Sequence, residues 1–154
     1  MVHKRGYTLV ELLIIITIIA VLITFGLSAF TKAKERQLVQ QSKELILSVL
    51  QNAQKSAYVG DKDCLGSLDG IQLTFSGNRI TSQALCSGGE VGTAQVTEIS
   101  GLTFTTSPPI LFKPLEQGVD LGAGSSAQID YTISGLTYRF TVLPPGIIRY
   151  EGAI

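Results

Sequence analysis

From Leu12 to Phe30 the chain carries no charged side chain for 19 residues, and nothing else in the sequence constrains its folding as tightly. As an α-helix rising about 1.5 Å per residue, this run extends about 28 Å. That is close to the ~30 Å hydrocarbon core of a bilayer. Residues 7–30 are therefore expected to form a membrane-spanning helix half. A short basic stretch, Lys4-Arg5-Gly6, precedes it, and one carboxylate, Glu11, sits at its start. Basic flanks stay cytoplasmic, so Lys4 and Arg5 place the N-terminus inside and the remainder outside. Lys32, Lys34 and Arg36 oppose this from the far end. A secretory signal peptide is the competing reading, but the apolar run exceeds the usual ~7–15 residues and Ser28-Ala29-Phe30 is a poor cleavage site.

Histidine and cysteine usage narrow the chemistry. The only histidine is His3, ahead of the apolar run, so a chain cut after Gly6 has no imidazole for acid/base work or metal ligation. No enzymatic activity, metal or other cofactor is expected. Cys64 and Cys86 both follow the apolar run. An even pair in a small exported domain reads as a disulfide, worth about 3 kcal/mol across a loop of this size. Two buried free thiols are the other reading. Asp61, Asp63 and Asp69 are too sparse and wrongly spaced for a calcium loop.

Charge argues against nucleic acid without closing the question. The formal net charge is zero, with 12 basic and 12 acidic side chains, and loss of Lys4 and Arg5 leaves an acidic excess. Arg79, Arg139 and Arg149 could make a phosphate-binding patch. The favoured reading is solvated strand-face cations among Glu98, Glu116 and Glu151.

Beyond Phe30 the helical period continues to about Tyr58. Leu38, Ile46, Val49, Leu50, Ala53 and Ala57 fall on one stripe, with Lys43, Glu44, Gln51, Gln54 and Lys55 mostly opposite. One continuous helix is expected, with a break near residues 26–31 as the alternative. Gly60 and Asp61-Lys62-Asp63 end it, and strand-like segments follow: 71–76, 79–83, 93–99, 102–105, 110–113, 128–134, 137–143 and 147–150. Ser76-Gly77-Asn78-Arg79 and Ser134-Gly135-Leu136 read as hairpin turns. The expected fold class is α+β: a long N-terminal helix, its second half amphipathic, packed on a C-terminal antiparallel β-sheet domain. The expected organisation is a leader (1–6), a membrane half-helix (7–30), an amphipathic half-helix (31–58) and a β-rich extracytoplasmic domain (59–154). The glycine-rich stretches Ser87-Gly88-Gly89 and Gly122-Ala123-Gly124 lack a phosphate loop's lysine and read as plain connections.

Glu11 needs a reason, because a carboxylate within a bilayer costs at least ~2.5 kcal/mol. Thr8 to Glu11 has the spacing of a capping box, and a negative side chain suits a helix N-terminus. Taken with its neighbours, however, the stretch Arg5-Gly6-Tyr7-Thr8-Leu9-Val10-Glu11-Leu12-Leu13 resembles the type III signal of type IV pilins and type II secretion pseudopilins. That resemblance implies cleavage by prepilin peptidase between Gly6 and Tyr7 and N-methylation of Tyr7, where the family more often has phenylalanine. It also implies an assembly role for Glu11, whose carboxylate would pair with the new amine of a neighbouring subunit. The later chain is loosely similar to minor pseudopilins of the H type.

The implied function is a structural subunit, a minor pilin or pseudopilin of a type IV pilus or type II secretion filament. It would be held in the bacterial cytoplasmic membrane with its globular domain outside, then assembled into an extracytoplasmic filament. Implied partners are other pilin or pseudopilin subunits, prepilin peptidase, assembly platform proteins and the membrane. The alternative is a monomeric membrane-tethered binding domain, with DNA as one ligand.

Overall fold

The computed structural model describes residues 8–61, 63, 65–115, 118–121 and 124–154, excluding the side chains of residues 24–29 and 106. The chain divides into two compact units, one ending at Leu38 and the other comprising Val39–Ile154. A single helix, α1 (Leu9–Val59), contributes to both. It contains no proline, so no backbone amide is missing from its hydrogen-bond ladder, and the alternative of two broken helices is not realised.

Helix α1 starts on Thr8, whose Oγ1 accepts a bond from the Glu11 backbone N–H at 3.2 Å. This is the N-cap bond the Thr8–Glu11 spacing predicts. At the other end the Asp61 N–H donates to the Ser56 carbonyl at 2.9 Å and the Gly60 N–H to the Ala57 carbonyl at 3.3 Å. Those two bonds form a Schellman closure at the expected glycine.

In the second unit, Ile46, Leu50, Ala53 and Ala57 are buried and Val49 is half-buried; Leu38, the last residue of the first unit, is half-buried. The stripe therefore forms as its spacing predicts. Ser42 joins it, 4% exposed. Two residues assigned to the opposite side lean inward: Gln54 is half-buried and donates to the Gly146 carbonyl at 3.2 Å. Lys43 lies 5.0 Å from the centre of the Tyr150 ring. Long side chains on the flank of a stripe can reach polar or aromatic partners that spacing alone does not show.

Among the described residues nine strands follow: β1 (Leu68–Ser76), β2 (Arg79–Cys86), β3 (Gln95–Glu98), β4 (Leu102–Thr106), β5 (Ile110–Phe112), β6 (Val119–Asp120), β7 (Ala127–Ile133), β8 (Leu136–Val142) and β9 (Ile148–Ala153). They form two antiparallel sheets where one was expected, ordered β3-β2-β1-β5-β6 and β4-β7-β8-β9. The division arises at β4. Its Leu102 and Phe104 pair in register with Ile133 and Tyr131, and the Phe104 and Tyr131 rings meet edge to face at 6.4 Å. Matching apolar faces thus draw β4 to the second sheet, away from β3, its neighbour in sequence.

The second sheet's inner face is aromatic. Tyr131 lies between Tyr138 at 5.6 Å and Phe140 at 6.1 Å, and Phe140 continues to Tyr150 at 5.1 Å. Ile129, Tyr131 and Ile133 are buried in alternation, as predicted. The sheets meet where the Phe104 N–H donates to the Gly77 carbonyl at 2.7 Å and the Phe75 and Phe104 rings lie 5.2 Å apart. At the β7–β8 turn, Ser134 (φ 52°) and Gly135 (φ 79°) both take the left-handed conformation that a two-residue I′ hairpin requires.

Candidate functional site

Two groups of residues carry the functional expectations, one in each unit. In the first unit the Glu11 carboxylate is exposed in the opening turn of α1, one helical turn after the Thr8 cap. Position in the first turn suits it, since the helix N-terminus presents positive potential. Beyond it Leu12, Leu13, Ile14, Ile15, Ile16, Ile18, Ile19, Val21, Leu22 and Ile23 are each at least 44% exposed. The polar Thr17 within this run donates its hydroxyl to the Ile14 carbonyl at 2.8 Å, so its hydroxyl proton has a partner without solvent. An apolar surface on every side of a helix, with polar groups satisfied internally, is built for lipid or for other helices. Gly6 and Tyr7 lie outside the described residues. Among the described residues no helix is long and apolar enough to cross a membrane; the expected span, 7–30, includes Tyr7 and the side chains of residues 24–29, which lie outside them.

That opening turn is what decides the assignment when set beside known proteins. The prokaryotic N-terminal methylation motif matches residues 1–27. The chain carries the type IV pilin and pseudopilin signal. A precursor with this signal assembles with other pilin subunits and is processed by prepilin peptidase, and the signal belongs to a structural class of protein, not to an enzyme class. No curated protein and no solved structure matches the chain. The match ends within α1, so the H-type likeness of the later chain rests on sequence pattern alone.

The second group lies around the cysteines. Cys86 ends β2, in phase with the buried Ile80 and Ala84, and is 2% exposed. Cys64 lies outside the described residues. The segments flanking them are tied by side chains that spacing did not reveal. Glu90 Oε2 accepts from the Leu65 and Gly66 backbone N–H groups, both at 3.1 Å. Ser87 Oγ accepts from the Ser67 N–H at 3.1 Å, and Asp63 Oδ2 accepts from the Thr93 N–H at 2.6 Å. Bonds from Thr93 hold the Asp63 carboxyl below its ordinary pKa. Ser87-Gly88-Gly89, expected to be a plain connection, is thus part of a clamp.

Arg79 lies on the first sheet, while Arg139 and Arg149 lie on neighbouring strands of the second. Arg79 pairs with Glu98 at 2.6 Å at the β2–β3 edge. Arg139 makes a two-pronged bond to Asp130 at 2.7 and 2.8 Å on the other sheet. Both cations are thereby engaged, and Thr141 donates to Glu151 at 2.7 Å on the same sheet as Arg139. A cavity of about 160 Å³ between Ser56, Asp61, Asp63, Gln83 and Thr93 has a polar lining. A groove of about 430 Å³ runs past Gln54, Tyr58, Phe112 and Lys113. Among the described residues no group of three or more His, Cys, Asp or Glu could hold a metal ion.

Proposed function

We propose that this chain is a minor pilin or pseudopilin, a structural subunit of a type IV pilus or type II secretion filament. Prepilin peptidase cuts it between Gly6 and Tyr7, and the new amino terminus is methylated. The observation that carries the reading is the methylation motif over residues 1–27. Residues 7–30 anchor the subunit in the cytoplasmic membrane with residues 59–154 outside. In the filament, the Glu11 carboxylate pairs with the Tyr7 amine of a neighbour, where the low dielectric makes either charge alone expensive. Cys64 and Cys86 form the disulfide that closes the loop held by Glu90 and Ser87. Assembly platform proteins then draw the subunit from the bilayer.

The test is intact-mass and N-terminal peptide analysis of the chain from native membranes, wild type beside Gly6→Ala. The expected product begins at N-methyl-Tyr7 and is lost in the variant. A wild-type chain retaining Met1 to Gly6 refutes the assignment and favours the tethered binding domain.

A further inference from the structure

The signal does not account for Lys32, Lys34 and Arg36. All residues from Phe30 to Gln37 are exposed, and among the described residues none of these three cations forms an ion pair. Arg79, Lys113 and Arg139, by contrast, are each matched to a carboxylate. At about 100° per residue, Arg36 lies near Lys32 on one side of the helix while Lys34 lies about 200° around from Lys32. A headgroup layer that surrounds the helix meets the cations on both sides at once.

Resting on the membrane anchoring proposed above, we infer that Lys32, Lys34 and Arg36 form a collar that binds the phosphates of anionic lipids in the outer leaflet. Dimensions fit this partner. The headgroup layer adds roughly 5–7 Å on each side of the hydrocarbon core, and residues 32 to 36 rise about 6 Å. Phe30, 68% exposed, sits immediately before the collar at the depth where aromatic rings anchor helices. Lysine and arginine stems reach along the interface while their charged ends stay with the phosphates. Glu35 is the only opposing charge in the stretch. The collar sets the depth of the helix and holds the subunit against withdrawal in proportion to anionic lipid content.

The chain contains no tryptophan, so Phe30→Trp supplies a single reporter at the collar. The full chain with this change is reconstituted in phosphatidylcholine vesicles containing equal small fractions of brominated phosphatidylglycerol or brominated phosphatidylcholine. Quenching gives the relative association of the two lipids. The expected preference for phosphatidylglycerol is about fivefold or more at low salt, the attraction of at least one cation. It should fall toward unity in 1 M salt and in Lys32→Gln/Lys34→Gln/Arg36→Gln, while inorganic phosphate at matched ionic strength leaves it unchanged. Equal quenching by both lipids in the unaltered collar overturns the inference and leaves the anchor intact. A preference that survives the triple substitution assigns the lipid to other groups and also overturns it, and displacement by phosphate makes the collar a free-anion site instead. Absence of quenching by either lipid means the helix is not in the bilayer, which overturns the anchoring itself.

Discussion

Replacing Tyr131 by phenylalanine should stabilise the protein. Tyr131 is fully buried on β7, and its hydroxyl has no hydrogen-bond partner among the described residues. Burial pushes its pKa well up, and the Tyr150 hydroxyl adds to the effect as a charge and as a near group that falls short of hydrogen-bond geometry. The substitution keeps the ring between Tyr138 and Phe140 and removes a stranded polar group, whose burial costs about 1–3 kcal/mol. Taking the lower figure, and an unfolding entropy of about 2.1 cal/mol/K per residue over a unit the size of Val39–Ile154, Tm should rise by about 4 °C. The assay is thermal unfolding of the full chain in detergent, followed by near-UV circular dichroism. A second readout lies at alkaline pH. A phenol whose folded pKa exceeds its unfolded value contributes stability below pH ~10 that is lost as pH rises. The wild type should therefore lose about 1.4 kcal/mol per pH unit more than Tyr131→Phe above pH ~10. A lowered Tm would show that the hydroxyl is bonded and refute the reasoning.

Leu50→Ala opens a cavity beneath α1 and should cost about 2–5 kcal/mol in denaturant unfolding of the full chain; an effect below 1 kcal/mol would mean the stripe is not packed on the sheets. A Cβ at Gly92 would collide with Asp63 Oδ1, so Gly92→Ala should break the Asp63–Thr93 bond. Hydrogen exchange at the Thr93 amide should then accelerate by at least about tenfold, the loss of one charge-assisted bond. Glu11→Ala should be cleaved and inserted normally but recovered poorly in filaments, measured by immunoblot of sheared fractions beside membranes; normal recovery counts against the assembly role.

Much of the fold could be read from periodicity, because both periods persist over many residues. The stripe from Ile46 to Ala57 and the alternation of Ile129, Tyr131 and Ile133 each repeat one environment several times. What escaped depends on partners distant in sequence. The strand Val119–Asp120 is two residues long, too short for any period, and exists because Phe112 and Leu111 offer it an edge. The division into two sheets hangs on which neighbour Phe104 finds. The site divides in the same way. The Thr8–Glu11 cap was legible because its two members are contiguous with the run they start. Glu90 was not, since nothing local distinguishes a carboxylate that binds two backbone amides 24 and 25 residues away from one that faces water.

The bond from Phe104 to the Gly77 carbonyl also orders events in time. Gly77 presents that carbonyl only once β1 and β2 have closed their turn, a local step requiring little chain closure. Strand β4 must then find both this acceptor and the distant β7 before the aromatic face can assemble, so the slow step is the long-range one. Pulse-labelled refolding should protect the Thr81 amide, bonded across the β1–β2 hairpin, before that of Phe104; the reverse order would mean the second sheet nucleates first.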